Sequence, residues 1–467
     1  MPLVLAAVMG LLAGDAGAMY LPPSETGGTE FQFNPASQGL RQAVKKPEPR
    51  PGDLLDARAL ADDLVFLRRA LRKQYIGYPE LLQLPDFDVE ALFDQHIARL
   101  RSGPAKVKFG DSAVALFKEL KNHINDSHFY LDGAGDPRGK YTEYQATITG
   151  SAPALDGCTA AQASSTTLRI APVLAPDGKR GQVLTVSARP QGETLQLTCG
   201  QQAFTLKARP ETAREDGIFD KPSYEWRRSG QAAIIRIRLF QGSPADRERL
   251  EKLAADYPAH RRSPIIVFDL RGNGGGDSWY ARRWVGQAKR GVWSDGAGSL
   301  HPTGSFIPWL LWNQEVWHSI AQDRVDDPAA IASREQLRKQ WPRSATQLSV
   351  EFKSPRNEDD ARMPYKGRIF VLVDRQCGSS GETAADMLRE GLGATLVGER
   401  TAGLQEYGNV RPLVLPRTLL VVHFATKRNY FHTPREAVGT PPDVYLPPDL
   451  LQKPVEELIP LLKKLPG

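Results

Sequence analysis

The sequence predicts a mixed α/β protein: an N-terminal helical domain, a small β domain, and an α/β core that fills the second half of the chain. Three observations predict it. Leucines recur at helical spacing from Asp53 onward. Short β-branched runs, separated by Gly, Asp and Pro, fill residues 140–225. From Ala232, fully apolar strands alternate with helices, the pattern of a sheet covered on both faces. A chain of 467 residues has room for several such units, at roughly 100–200 residues per domain.

Taken in order, Leu3–Ala13 is an apolar run followed by the small residues Ala16-Gly17-Ala18. This predicts a signal peptide over 1–18 and export to the periplasm or the extracellular space. The run is too short to span a bilayer, so no integral span is expected once the signal is removed. Residues 19–52 are rich in Pro, Gly and Ser, end in KKPEPRPGD, and read as a linker. The helical domain is expected over 53–135. There Leu60, Leu64, Leu67 and Leu71 share one face, Asp88–Leu100 and Ser112–Ile124 repeat the spacing, and Asp111 or Ser112 stands at a capping position.

The small β domain is expected over 136–225, with TLRIAPVL, GQVLTVSA, TLQLTC and AFTLKA as strands. Two of the three cysteines, Cys158 and Cys199, fall in this stretch. In an exported chain they are expected to pair, leaving Cys377 as a lone thiol packed beside a turn. The core is expected over 226–467. AIIRIRLF leads to a helix at Ala245–Ala255. PIIVFDL ends in a glycine turn before a helix from Ser278. RIFVLVD ends in a Gly–Ser turn before a helix over Glu382–Glu390, and TLVGER is a further strand. A segment at about 290–365 interrupts the pattern. Trp284, Trp293, Trp309, Trp312 and Trp317 lie in or just before it, as a substrate groove, a lid or a plug of the core.

Composition narrows the function. Hydrophobic content of 41% and charged content of 24% suit a soluble globular protein. The net charge of +6 is spread among acidic residues with no basic tract, which gives no footprint for nucleic acid.

Four segments carry candidate chemistry. Asp269-Leu270-Arg271-Gly272-Asn273-Gly274-Gly275-Gly276 ends an apolar strand with exposed amides that can meet an anion. It lacks the spacing of a P-loop or a dinucleotide site. Cys377-Gly378-Ser379-Ser380-Gly381 also follows a strand and opens a helix, so a serine hydroxyl there sits near the positive end of a helix dipole. It is not the G-x-S-x-G elbow, and taken alone Ser379 reads better as a helix cap. Asn125-Asp126-Ser127-His128 supplies a histidine, and Glu436 an acid near the C-terminus. There is no H-E-x-x-H motif and no Cys/His cluster, so neither a metal nor another cofactor is expected.

Together and in this order, these segments resemble the tail-specific (C-terminal processing) serine peptidases. DLRGNGGG, RIFVLVDRQCGSSGETAADML, VGERTAG and EAVGTPPDV are similar to that family's strand ends and turns, and the resemblance runs from about Asp53 to Asp443. It implies a ClpP/crotonase-like sheet with flanking helices. The small β domain stands where such proteins often carry a PDZ domain, but lacks that domain's glycine-rich peptide-binding loop. The commonest members use a Ser/Lys dyad, and at the lysine's place this chain has Leu404.

The chain instead resembles the tricorn-core branch, which uses Ser, His, a neighbouring Ser and Glu. The resemblance implies that Ser379 is the nucleophile, His128 the general base, Glu436 its support through Ser127, and Gly276 and Ser380 the oxyanion donors, with Gly275 as alternative to Gly276. The implied partner is a protein or peptide substrate, and a homo-oligomer is compatible with it. The same fold also serves retinoid binding, so a non-catalytic protein that holds a hydrophobic ligand is the alternative.

Overall fold

The computed structural model describes residues 49–134, most of 142–288, the segments 298–302, 327–339 and 350–353, and 364–465 except 432–434. The expected signal peptide, nearly all of the linker, and Trp293, Trp309, Trp312 and Trp317 lie outside the described residues.

The helical segment forms as its leucine spacing requires. Ala57–Gln74 is a helix capped by Asp56, whose side chain accepts the Ala59 amide. Leu60, Leu64, Leu67 and Leu71 are all buried. Val89–Ser102 follows, capped by Asp88, and then Ala113–Lys121. Ser112 holds the cap position of this last helix, but its hydroxyl donates to Lys108 O (2.6 Å) rather than serving the helix amides. The apolar faces of these helices pack on an antiparallel pair of strands from the far end of the chain, Tyr407–Val414 and Val421–Tyr430. This hairpin has no counterpart in the sequence reading above. Its Val422 and His423 also pair with Leu131 and Tyr130, which fixes the chain just beyond His128.

The main sheet has twelve strands. Its core half runs Tyr224–Ser229, Ala232–Ile237, Ile265–Asp269, Arg368–Val373, Thr395–Gly398 and Val444–Tyr445. Every neighbour after the first hairpin is parallel. Ala232–Ile237 and Ile265–Asp269 are buried at every residue, as strands covered on both faces must be. One face carries the helices Pro244–Ala255, Trp279–Ala288 and Ser380–Leu392, and Trp284 is sealed there against Tyr257 and Phe268. Trp284 is thus a core residue. The other face is closed by the C-terminal helix Val455–Leu462.

The β segment does not stand apart. Val173 pairs with Tyr445 of the core, so its strands extend the same sheet. Arg209, at the end of this segment, is locked into the core by the buried Glu399 (2.6 Å). Cys158 and Cys199 face each other on neighbouring strands and form a disulfide, and Cys377 is buried as a free thiol. Among the described residues, no helix is long and apolar enough to cross a membrane.

Candidate active site

Two adjacent parallel strands, Ile265–Asp269 and Arg368–Val373, end side by side, and each runs into a turn. Asp374 ties the turns together: its carboxylate accepts the amides of Gly272 (2.9 Å), Gln376 (3.0 Å) and Cys377 (3.0 Å). Asn273 adds a second tie. Its carbonyl accepts the Gly378 amide (2.8 Å), and its side chain bonds both Ile237 O and the Gly275 amide (2.9 Å each). A third tie is Ser380 Oγ, which donates to Gly276 O (2.6 Å).

The glycines here are dictated by space. Gly275 and Gly276 have φ of 108° and 122°. A Cβ on Gly275 would sit 2.8 Å from the Cβ of Ser379, and one on Gly276 only 2.5 Å from the Phe240 backbone. The first turn therefore lies directly against the serine of the second. Of the three expected oxyanion donors, the Gly275 amide is committed to Asn273 Oδ1. Among the described residues, the amides of Gly276 and Ser380 make no hydrogen bond.

Ser379 itself has φ 52° and ψ −120°, a backbone region that side chains avoid and that functional turns retain at a cost. Its amide donates to Glu382 Oε2 (3.0 Å), one turn into the helix that follows. Leu404, at the place of the dyad lysine, lies over Gly378, where it would be 2.6 Å from an added Cβ. That position is apolar.

The histidine comes from the helical segment. Asp126 folds back in an Asx turn and accepts the backbone amide of His128 (2.7 Å). The same carboxylate oxygen lies 3.7 Å from His128 Nδ1. Glu436 accepts the Ser127 amide (2.9 Å) with one oxygen and the Glu406 amide (3.0 Å) with the other. Oxygen atoms of Asp126 and Glu436 and a ring nitrogen of His128 all lie within 4.8 Å of one another. Both acids are buried, and burial is the main reason their carboxyls titrate high: Asp126 is pushed up to about 6, and Glu436 well above its ordinary value. The nearby Asp126 carboxylate raises Glu436 further, as a like charge in one small space does. These three side chains have donor types that suit a divalent cation, and among the described residues they are the one group close enough to hold it.

The structure thus joins Ser379 with Gly275, Gly276 and Ser380, and joins His128 with Ser127 and Glu436. The segment Thr401–Glu406 links the two groups, because its amides reach Glu382 at one end and Glu436 at the other. Two residues escaped the sequence reading. Asp126 lies 3.7 Å from the imidazole and accepts the His128 amide, and its signal was its place two residues before the histidine. Glu382 was signalled by its place three residues after Ser379, the spacing of a capping box.

Residues 231–446 match peptidase family S41. This segment, a little under half of the chain, is similar to that family, and the likeness supports a serine peptidase. No curated protein matches it in sequence. Among solved structures it is similar to mature CPAF, at 14% identity over 88% of this chain and 99% of that one, with a TM-score of 0.46. It is also similar to the photosystem II D1 C-terminal processing protease, at 12% identity over 86% and 97%, TM-score 0.39. A third is the tricorn protease, at 14% identity over 88% of this chain and 37% of that one, TM-score 0.39.

Proposed function

We propose that the protein cleaves peptide bonds through an acyl-enzyme on Ser379, in the manner of the tricorn-core branch of the tail-specific peptidases. The observation that carries this reading is the strained Ser379, presented at the end of a parallel strand against a glycine turn. Ser379 Oγ attacks the carbonyl carbon, and its proton passes to His128. The C–N bond then breaks as His128 returns that proton to the leaving amine, and water repeats the cycle on the ester. Glu436 and Asp126 flank the imidazole and stabilise it once it is charged. The amides of Gly276 and Ser380 receive the oxyanion, each worth about 10²–10³ in rate. Leu404 supplies no amine, which supports a histidine base over a lysine.

Export to the periplasm or the extracellular space is part of the proposal. The Cys158–Cys199 disulfide supports it, since such bonds persist in oxidising compartments.

The test is incubation of the purified protein with a mixture of peptides and of matched esters, read by mass spectrometry beside Ser379→Ala. Peptide cleavage by the wild type and not by the variant is expected. Turnover of esters alone would replace the peptidase reading with an esterase one.

A further inference from the structure

Glu382 is fully buried on the nucleophile's helix, yet it never faces the reacting atoms in the mechanism above. Its partners are unusual in being all donors. Oε1 accepts from Thr401 Oγ1 and from the Gly403 amide (2.5 and 2.9 Å). Oε2 accepts from the Ser379 amide and from the Leu404 amide (3.0 and 2.7 Å). Thr401 Oγ1 also accepts the Thr440 amide (2.7 Å), and the other acceptor for its proton, Thr440 O, is much farther away at 3.4 Å. Every site on the carboxylate is therefore filled by an N–H or O–H that points inward, and only an acceptor on both oxygens satisfies them.

The four donors come from two pieces of chain, which the Ala402 amide also joins by donating to Cys377 O (2.8 Å). One is the strained residue Ser379. The other is the turn Thr401–Leu404, whose last residue covers Gly378.

We propose that Glu382 is a positioning residue for the nucleophile. It clamps the Ser379 amide to the Thr401–Leu404 turn and so keeps Ser379 on its left-handed backbone, with Oγ aimed at substrate. The inference rests on Ser379 being the nucleophile. In a chain with Leu404 where an amine would otherwise approach the serine, the clamp fixes the turn from behind, through backbone amides.

The prediction turns on an isosteric change. Glu382→Gln keeps size and shape but sets an NH2 group against two donors, whichever way the amide points. A misplaced nucleophile reacts slowly even where binding is intact. Labelling of Ser379 by a fluorophosphonate probe should therefore show kinact reduced about 10²-fold with KI unchanged. Glu382→Asp, which keeps an acceptor on both oxygens but is one methylene shorter, should fall between Gln and wild type. It also serves as the test if the Gln variant fails to fold.

The matched control is Asp63→Asn. Asp63 is equally buried and also takes only donors, from the Arg417 amide and from the Thr418 amide and hydroxyl, but in the helical segment away from Ser379. It should lower stability and leave kinact alone. A folded Glu382 variant with wild-type kinact would overturn the proposal. So would Asp63→Asn losing kinact in step with the Glu382 variants, since that would make the loss one of general stability. Absence of labelling in the wild type would instead remove the nucleophile on which the inference rests, and so overturn both together.

Discussion

The proposed nucleophile side and the proposed base side of this site are built in opposite ways. Ser379 is placed by local rules: a buried parallel strand ends, a glycine turn from the next strand presses against it, and a helix begins. His128 is placed by remote ones. The residue before it is tied to Glu436, 309 positions along the chain, and the short strand after it is tied to the hairpin at Val421–Tyr430. A strand end and its turn form a rigid unit whatever the rest of the chain does. The base side exists only when the helical segment is seated. Chemistry that needs both is therefore switched on by tertiary packing, and the two halves should fail differently when altered.

The sharpest break is at the base. His128→Ala should lower the rate of Ser379 labelling by about 10²–10⁴, the usual contribution of a positioned general base, without moving the unfolding midpoint far. Labelling kinetics and thermal melting on the same sample check both halves of that statement. Unchanged labelling would remove the histidine from the mechanism.

Next comes the nucleophile side. Gly275→Ala places a methyl 2.8 Å from the Ser379 Cβ at a φ of 108°. The backbone strain alone is of order 1–3 kcal/mol. This variant should lose both stability and labelling, in contrast to the histidine variant, which loses labelling only. Calorimetry beside the labelling assay separates them.

A broader effect follows from the buried acids on both sides. Burial raises Asp126 and Asp374 from 3.8 to about 6. A raised carboxyl binds its proton more tightly in the folded chain than in the unfolded one. Its stabilising contribution is complete below the ordinary value and disappears as pH rises through the folded one. Urea unfolding between pH 3.8 and about 6 should show stability falling with pH, and Asp374→Asn should flatten part of the fall. A rise with pH would contradict these assignments.

The smallest effect on activity is expected farthest from the turns. Removing the Cys158–Cys199 disulfide, which closes a separation of 41 residues, should cost about 2–4 kcal/mol of stability in the β segment. Labelling of the folded protein should not change.

The same contrast governs how much could be read from the sequence. The helices over Asp53–Ile124, the apolar strands of the core and the two glycine turns are local patterns, and the structure forms them within a few residues of their expected ends. The hairpin Tyr407–Tyr430 was missed, because its burial comes from helices some three hundred residues earlier, and Pro412 and the charged Lys427–Arg428 interrupt its apolar alternation. The joining of the β segment to the core includes the pair Val173–Tyr445, the packing of Leu174 into the core and a buried Arg209–Glu399 contact, none of which a local pattern announces. In the site, Ser379 and the glycines were visible as turn chemistry, whereas His128 and Glu436 stood out only through resemblance to a family. Asp126 and Glu382 sat at telling spacings, but an acid two residues before a histidine or three after a serine is common. Only burial beside the reacting groups distinguishes them.

The proposed chemistry depends above all on Ser379 being an activated nucleophile. The most direct measurement is to treat the purified protein with a fluorophosphonate probe and map the modified residue by mass spectrometry, with Ser379→Ala as control. One modified residue, Ser379, and no labelling of the variant are expected. A well-folded wild type that stays unlabelled, or labels elsewhere, would contradict it.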